Sequence, residues 1–221
     1  MNDGFKNYDI NTPIRVLEVF SSIDGEQPRM AQTTTFVRLA GCNLKCWYCD
    51  TKRSQKFEGG TTTTVRELTE QIINISPSYN VTITGGEPLL QMSEVEELCH
   101  RLKAFNPRYN INIETNGTLQ PSLTLLQVVD CMVYDYKDDN LFNVTEVLRR
   151  QDVVKFVIND KLEFERVEKI AKQLFYNQVY VGCVQGSGAS LTEKEVIDWL
   201  LELGLPNLHF NTQLHKKIGV S

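Results

Sequence analysis

The chain has 221 residues, of which 41% are hydrophobic and 23% are charged, and its net charge is −5. This length suits one domain whose core needs no disulfide or metal to hold it, and the ordinary composition excludes a disordered or fibrous protein. Because acidic residues outnumber basic ones, the chain lacks the overall basic character of a nucleic-acid-binding protein. Neither a signal peptide nor a run of about 18 apolar residues is recognisable, so we expect a cytoplasmic protein without a membrane partner.

Predicted strands and helices alternate along the chain. A strand over residues 33–40 precedes a cysteine-rich segment, and residues 61–76 then have the apolar periodicity of a helix. Later strands are predicted over 79–84, 109–115, 131–137, 152–158, 178–184 and 207–215, and later helices over 93–105, 161–175 and 191–204. The predicted caps are three capping boxes and a glycine stop: Thr64 with Glu67, Ser93 with Glu96, Thr192 with Glu195, and Gly204.

Strands separated by helices indicate βαβ units and a mostly parallel sheet. Six or seven strands are too few for a closed eight-fold barrel, so we predict an α/β fold, a partial TIM-type βα barrel. Residues 1–221 would form a single domain, with residues 1–15 as an N-terminal extension. In such folds the chemistry lies beyond the carboxyl ends of the strands. The motifs found there are polar: GCNLKC, TGGEP, ETNG, YKDD, QGSG and NTQLH.

Half of the six cysteines, Cys42, Cys46 and Cys49, fall within eight positions. In a reducing compartment such a group is more typical of metal ligands than of disulfides, and thiolates select zinc, copper(I) or iron–sulfur clusters. Three thiolates on a 4Fe–4S cluster would leave one iron open to a small molecule. The alternative is a zinc site with a distant fourth ligand such as His209 or His215. The other cysteines fall on apolar elements and are expected in the core: Cys99, Cys131 and Cys183.

The segment CNLKCWYC resembles the cluster loop of radical S-adenosylmethionine (SAM) enzymes, and GGEP at 85–88 resembles their second hallmark. The resemblance implies a 4Fe–4S cluster on Cys42, Cys46 and Cys49, whose open iron binds the amino and carboxylate groups of SAM. The glycines of GGEP would let backbone carbonyls approach the ligand's ammonium group. Taken alone, GGEP is also compatible with a simple turn between strand and helix.

Five segments together resemble the family of 7-carboxy-7-deazaguanine synthases: VFSSIDGE, TTTFVRLAGCNLKCWYCDT, TITGGEPLLQ, IETNGT and NTQLHK. These enzymes contract the ring of 6-carboxytetrahydropterin, with loss of ammonia, on the route to deazapurines such as queuosine. The resemblance implies a radical SAM lyase that also uses Mg²⁺, takes electrons from a donor such as flavodoxin or ferredoxin, and forms a homodimer. SAM cleavage would produce a 5′-deoxyadenosyl radical that removes a hydrogen atom from the pterin carbon bearing the carboxylate.

The resemblance also implies binding roles for individual residues, but it gives no catalytic residue. The substrate contacts would be Ile23, Asp24, Gly25, Arg38, Thr84 and His215. The SAM contacts would be Tyr48, Cys49, Asp50, Gly86, Glu114, Thr115, Asp135, Tyr136 and Lys137, and Thr51 would bind Mg²⁺. The family commonly has Gln where this chain has Asp24, and Ser-Pro-Lys where it has residues 135–137.

Simpler interpretations stay open for several of these residues. Arg38 could be a solvated strand residue, Glu114 and Thr115 could belong to a capped turn before Asn116, and His215 could be an ordinary surface histidine. Two other functions also stay open. A glycyl-radical activating enzyme would share the cysteine motif but act on a polypeptide, and a zinc-binding module would have no catalytic activity.

Overall fold

The computed structural model describes residues 11–137 and 146–220. The first half contains strands β1 (Pro13–Ile23), β2 (Thr33–Leu39), β3 (Thr61–Thr64), β4 (Asn80–Gly85) and β5 (Asn110–Thr115), with helices α1 (Val65–Ile75), α2 (Met92–Phe105) and α3 (Leu123–Val128). The second half contains β6 (Cys131–Asp135), β7 (Val153–Ile158), β8 (Gln178–Cys183) and β9 (Leu208–Phe210), with α4 (Lys161–Gln173), α5 (Glu193–Leu203) and α6 (Leu214–Ile218).

The described strands form one sheet in the order β3-β1-β2-β4-β5-β6-β7-β8-β9. Strand β1 is antiparallel to both of its neighbours, whereas each pairing from β2 onward to β9 is parallel. Since β3 and β9 are the two edges, the sheet does not close on itself. The predicted partial βα barrel is therefore confirmed, with an added antiparallel β1–β3 edge.

Strand alternation separates an apolar outer face from a polar inner face. On β7, Val154, Phe156 and Ile158 belong to the hydrophobic core, whereas Lys155 between them lines an internal cavity. The same alternation on β2, β4, β5 and β6 turns a polar side chain inward near each carboxyl end: Arg38, Thr84, Glu114 and Asp135. The helices cover the outer face with buried apolar residues such as Leu68, Leu98 and Val167.

The predicted helix start at residue 61 is wrong. Residues 61–64 are a strand that pairs with the beginning of β1, where Pro13 lies opposite Thr64. Four threonines in a row suit an edge strand because a β-branched side chain loses little freedom there. The capping box itself is confirmed: the Thr64 hydroxyl accepts from the Glu67 N–H, and α1 begins at Val65.

The capping box predicted for Ser93 and Glu96 is wrong as well. A 3₁₀ turn at Pro88–Gln91 runs directly into α2, so the helix begins at Met92 and Gln91 is its first flanking residue. Glu96 instead accepts from the Ser122 hydroxyl, and that hydroxyl also accepts from the Leu125 N–H as the N-cap of α3. Helix α3 was not predicted, since its six residues are shorter than a clear periodic pattern.

The end of the chain differs from the prediction in a third place. The strand expected over 207–215 covers only Leu208–Phe210, and α6 follows at Leu214–Ile218. The caps of α5 are confirmed, with the Thr192–Glu195 box at its start and Gly204 in the left-handed conformation at its end. Cys99, Cys131 and Cys183 are buried as expected. Among the described helices, none combines the length and apolarity needed to cross a membrane.

Candidate active site

A cavity of about 600 Å³ opens at the carboxyl ends of the parallel strands. It brings together the predicted site residues from six different loops, with the single exception of Tyr136. The predicted residues that line it are Ile23, Asp24, Gly25, Arg38, Cys42, Cys46, Tyr48, Cys49, Asp50, Thr51, Thr84, Gly86, Glu114, Thr115, Asp135, Lys137 and His215.

The three clustered cysteines are free, half-buried thiols that all line this cavity. Burial raises the pKa of Cys42 and of Cys46, and Lys137 opposes this effect at Cys46. Two N–H groups point to the Cys42 sulfur: the Leu44 amide at 3.4 Å and the Asn116 side-chain amide at 3.9 Å. Such N–H···S contacts are typical of iron–sulfur ligands, where they stabilise the thiolate.

The donor set of three free thiols fits a 4Fe–4S cluster. Within 11–137 and 146–220, no three His, Cys, Asp or Glu side chains converge closely enough to hold one metal ion. Zinc needs such convergence because a single ion takes all of its ligands. A 4Fe–4S cluster binds each thiolate through a different iron, so its three thiols need not converge on a single ion.

The glycines of GGEP bring two backbone segments into direct contact. A Cβ at Gly86 would lie 1.9 Å from the Gly41 carbonyl oxygen, so no side chain fits there. The Gly86 N–H donates to Leu39, and the Glu87 N–H donates to the Gly41 oxygen at 2.7 Å. The expected reason for these glycines was access to a ligand. Their observed contacts place the start of the cysteine loop against the end of β4, and because Gly86 also lines the cavity, the expected access to a ligand stays a prediction.

Glu87 of the GGEP motif positions the loops around the cavity, a role that the motif alone does not predict. Its buried carboxylate accepts from the Leu89 N–H at 2.9 Å, the Thr115 hydroxyl at 2.8 Å and the Asn116 N–H at 2.7 Å. It therefore joins the β4 and β5 loops, and Asn116 extends this connection to Asn43 beside Cys42. The Thr115 hydroxyl has a structural partner, whereas Glu114 faces the cavity and accepts from the Thr84 hydroxyl at 2.7 Å.

Arg38 lies between the antiparallel edge and the cysteine loop. Its Nε donates to Glu18 at 2.8 Å, and its Nη1 lies 3.4 Å from the Thr51 hydroxyl oxygen. The Thr51 hydroxyl in turn donates to Asp50 at 3.1 Å. The Arg38 side chain is only 21% exposed, which contradicts the solvated alternative. Two stacked rings beside it, Phe20 and Phe36, complete an aromatic wall with centroids 5.1 Å apart.

A buried ion pair between Glu26 and Lys155 was not predicted. Glu26 also accepts from Asn211 at 3.1 Å and from Gln213 at 3.0 Å. Burial would raise the pKa of Glu26, but Lys155 and these amides bring it down to about 2, so the carboxylate is charged. The available signal was a lysine inside the apolar strand DVVKFVI, a position where an unpaired charge would be costly.

Among the described carboxyl groups that line this cavity, Asp24 and Glu114 have a raised pKa, because burial outweighs their favourable partners. Asp24 is 2% exposed, its Oδ2 accepts from the Thr82 hydroxyl at 3.1 Å, and burial outweighs the nearby Arg29 guanidinium to raise its pKa. Burial, opposed by Lys155, raises the pKa of Glu114 to about 7. Asp24 thus bonds to partners within the protein and also lines the cavity.

Residues 135–137 divide between the cavity and the core. Lys137 pairs with Asp135 Oδ2 at 2.5 Å, and its ammonium group lies 5.0 Å from the centroid of the Tyr48 ring. The Tyr136 side chain points away and stacks on Phe156 in the core, with centroids 4.9 Å apart. Alternation therefore removes the Tyr136 side chain from the expected SAM contacts. The neighbouring Asp138 and Asp139 of YKDD lie outside the described residues.

The segment after β9 covers the cavity beside the β1–β2 loop. The Leu214 N–H donates to the Gly25 oxygen at 2.9 Å, and the His215 ring packs directly on Gly25. Lys216 forms an ion pair with Asp50 at 2.8 Å, which joins the same segment to the cysteine loop. His215 thus lines the cavity, and its contact with the substrate stays a prediction.

Comparison with known proteins gives one consistent result. The radical SAM superfamily model matches residues 37–127. A 7-carboxy-7-deazaguanine synthase of Hyperthermus butylicus is 35% identical, over 91% of this chain and 77% of the relative. The synthases of Methanospirillum hungatei and Clostridium acetobutylicum are 33% and 31% identical, over 94% and 92% of this chain and 86% and 95% of the relatives.

Two solved structures share the fold. QueE from Escherichia coli matches with a TM-score of 0.69 at 17% identity, over 92% of this chain and 95% of that one. The protein anSMEcpe with bound AdoMet matches with a TM-score of 0.53 at 17% identity, over 74% of this chain and 56% of that one. At these identities, the two matches establish the architecture of an incomplete barrel.

Proposed function

The chain belongs to the 7-carboxy-7-deazaguanine synthase family of radical SAM enzymes, and we propose that its cavity converts 6-carboxytetrahydropterin into 7-carboxy-7-deazaguanine. The proposal depends on one observation: three free thiols, the Arg38 guanidinium and the charged Glu26 carboxylate line the same cavity. When bound, a reduced 4Fe–4S cluster supplies the electron that cleaves SAM to a radical able to remove a substrate hydrogen. The protein itself binds and orients SAM and the substrate, and it excludes water from the cavity.

The pterin would be held by complementary charges and hydrogen bonds. Among the described residues that line the cavity, Arg38 is the only arginine, and its planar guanidinium suits the substrate carboxylate. Glu26 is a charged acceptor for the ring N–H and the exocyclic amino group of the pterin. Phe20 and Phe36 offer an apolar wall to its flat ring. Ile23, Asp24, Gly25, Thr84 and His215 would complete this half of the site.

The other half would hold SAM and Mg²⁺ near the thiols. Asp135 has one buried carboxylate oxygen without a hydrogen-bond partner among the described residues, which suits an ammonium donor on SAM. Tyr48, Cys49, Asp50, Gly86, Glu114 and Lys137 would supply further contacts, with Thr115 acting through its backbone. Thr51 and the adjacent Asp50 are oxygen donors, which Mg²⁺ prefers together with water and substrate oxygens.

An anaerobic turnover assay with 6-carboxytetrahydropterin and SAM tests the proposal. We expect a brown protein with iron and sulfide that releases 5′-deoxyadenosine and forms the deazapurine. Cys46→Ala should lose both the colour and the turnover, because two thiolates cannot retain the cluster. A protein with an intact cluster but no deazapurine product would contradict the assignment, and a colourless protein with stoichiometric zinc would contradict the whole radical mechanism.

Three further expectations from the sequence stay predictions. These are a flavodoxin or ferredoxin as electron donor, a homodimer in the cytoplasm, and a single domain over residues 1–221. Residues 1–10 of the expected extension lie outside the described residues, and residues 13–15 form part of β1. Light scattering of the purified protein would measure the oligomeric state, and a monomeric mass would contradict the dimer.

A further inference from the structure

The loop between β1 and β2 passes from the cavity to the opposite end of the sheet. Residues 24–26 line the cavity, whereas Arg29 reaches the amino ends of two parallel strands. Two backbone hydrogen bonds of 2.7 Å close the loop: the Asp24 N–H donates to Gln32, and the Ala31 N–H donates to Asp24. The loop therefore forms one compact unit, and a change at Arg29 is expected to move the residues that face the cavity.

Arg29 is a buried arginine that binds both strands at once. Only 5% of the residue is exposed. Its Nη1 donates to the Asn110 oxygen at 2.7 Å, and its Nη2 donates to the Val81 oxygen at 2.9 Å and to the Thr82 hydroxyl at 2.6 Å. A planar guanidinium presents several N–H groups in a fixed arrangement, so one side chain can serve all of these acceptors. Arg29 thus joins the loop to the beginnings of β4 and β5.

Asp24 is the acidic partner of Arg29 inside the barrel. Its Oδ2 lies 3.8 Å from the Arg29 Nε and accepts from the Thr82 hydroxyl at 3.1 Å. Its Oδ1 accepts from the Glu26 N–H at 3.3 Å. Burial raises the pKa of Asp24, and the Arg29 guanidinium is the strongest of the effects that oppose it. The same carboxylate therefore contacts the Arg29 anchor through one oxygen and the backbone of Glu26 through the other.

We propose that Arg29 and Asp24 are a positioning pair that holds Glu26 in place for the pterin. The inference rests on the proposed function, in which the Glu26 carboxylate accepts from the pterin ring. Partners across the cavity hold that carboxylate, while the Arg29–Asp24 pair holds the Glu26 backbone. A misplacement of about 1 Å is enough to weaken binding or turnover severely. Arg29 itself does not line the cavity, so its effect on the substrate is indirect.

Steady-state kinetics of the anaerobically reconstituted holoenzyme test the proposal. In Arg29→Met we expect the KM for 6-carboxytetrahydropterin to rise about tenfold, while the KM for SAM and the iron content stay at wild-type levels. Asp24→Asn should give a similar rise, because it leaves the guanidinium without its buried counter-charge. The double variant should also show about a tenfold rise, whereas independent effects would give about a hundredfold. In the ligand-free protein, the Glu26 amide should exchange faster with solvent in all three variants.

Arg149→Met is the matched control. Arg149 also donates to two backbone oxygens and pairs with a buried aspartate, Asp152, at 2.6 Å, but it does not line the cavity. Its loss should lower the midpoint of chemical denaturation, as the loss of Arg29 does. The KM for the pterin and the exchange of the Glu26 amide should stay at wild-type levels. The control therefore separates positioning of the site from general stability.

A wild-type KM in Arg29→Met, or an equal rise in Arg149→Met, would overturn the positioning role. So would a hundredfold rise in the double variant, since Asp24 would then act independently of Arg29. If Arg29→Met does not fold, Thr82→Val removes the hydroxyl that lies between the pair, and an unchanged KM there would overturn the proposal; we expect a rise of about threefold or more. No deazapurine from the wild type would instead count against the proposed function, because the exchange of the Glu26 amide tests the pair without substrate.

Discussion

Lys155 and Glu26 form the ion pair on which the charge of the cavity wall depends. Lys155 is the first partner that offsets the burial of Glu26, whose pKa lies near 2, and Glu26 in turn raises the pKa of Lys155. Removing one partner of a buried pair leaves the other charge without compensation. Both side chains are only 12% exposed, so solvent offers little replacement.

Lys155→Met should therefore lower the free energy of unfolding by about 3 kcal/mol at neutral pH. A depressed carboxyl pKa stabilises the folded state above the unfolded value of 4.5, and that stabilisation is lost as the pH falls towards 2. The difference between wild type and variant should accordingly shrink below pH 4.5. Denaturant unfolding across this range measures it, with Lys155→Arg as the charge-conserving control. A difference that does not change with pH would contradict the ion-pair explanation.

Glu114 should affect stability in the opposite direction. Its pKa of about 7 lies above the usual 4.5, so its stabilising effect is present below pH 4.5 and is lost as the pH rises through 7. Glu114→Gln should remove that loss and make the ligand-free protein more stable than wild type at pH 8. We expect about 2 kcal/mol, less than the full shift implies because the open cavity keeps Glu114 partly solvated. Equal stability of the two proteins at pH 5 and pH 8 would contradict the raised pKa.

Among individual residues, those in contiguous motifs could be predicted from the sequence. Residues that pair with partners far away along the chain could not. Cys42, Cys46 and Cys49 share one short spacing, so their role was visible without a structure. Glu26 and Lys155 are 129 positions apart, and nothing local marks them as partners. Tyr136 was misplaced because a motif gives its neighbours along the chain, whereas strand alternation decides which neighbour faces the cavity.

Among the secondary-structure elements, the two helix starts at residues 64 and 93 offer a direct comparison. Both have the same capping-box pattern, but only Thr64 bonds to the backbone of its helix, while the Ser93 hydroxyl donates to Glu94. Thr64→Ala should cost about 1 kcal/mol of unfolding free energy, and Ser93→Ala should stay within about 0.5 kcal/mol of wild type. Chemical denaturation of both variants measures the contrast. Equal costs would mean that the position of the α2 start is wrong.

The elements that were predicted well are those with long regular patterns. Strands β7 and β8 are mostly apolar, β4 and β5 alternate polar and apolar residues, and α4 and α5 have clear apolar stripes. Strand β1 was missed because its partners β2 and β3 decide its conformation, and its alternation is interrupted by a register shift between Val16 and Glu18. The predicted start of α2 is wrong because a 3₁₀ turn runs directly into this helix. The helix therefore needs no capping residue at Ser93.

On the scale of the whole molecule, the unclosed barrel depends on a contact between the two ends of its sheet. The loop after β1 meets the segment after β9 through the Gly25–Leu214 hydrogen bond and through Glu26, which binds Asn211 and Gln213. This contact seals the side on which β3 and β9 leave the sheet open. The incomplete barrel thus obtains part of its cavity wall from loops, where a closed barrel would have further strands.

Gly25→Ala tests whether this seal shapes the substrate half of the cavity. An added Cβ would lie 1.9 Å from His215 Nδ1, 2.6 Å from its Cγ and 2.8 Å from its Cβ, so rotation of the ring alone cannot make room. We therefore expect α6 to shift and the Leu214–Gly25 hydrogen bond to weaken. We expect the KM for the pterin to rise at least about tenfold and the Leu214 amide to exchange faster with solvent.

His215→Ala is the matched control for this prediction, because it removes the ring without pushing on α6. It should keep the slow exchange of Leu214, and both variants should keep the wild-type iron content, since the thiols lie on another loop. Kinetics, hydrogen exchange and iron analysis on the same preparations therefore separate the two causes. If Gly25→Ala retained wild-type exchange and KM, the contact between the sheet ends would be incidental. If it lost iron as well, the two halves of the site would be coupled through the Lys216–Asp50 ion pair, which joins α6 to the cysteine loop.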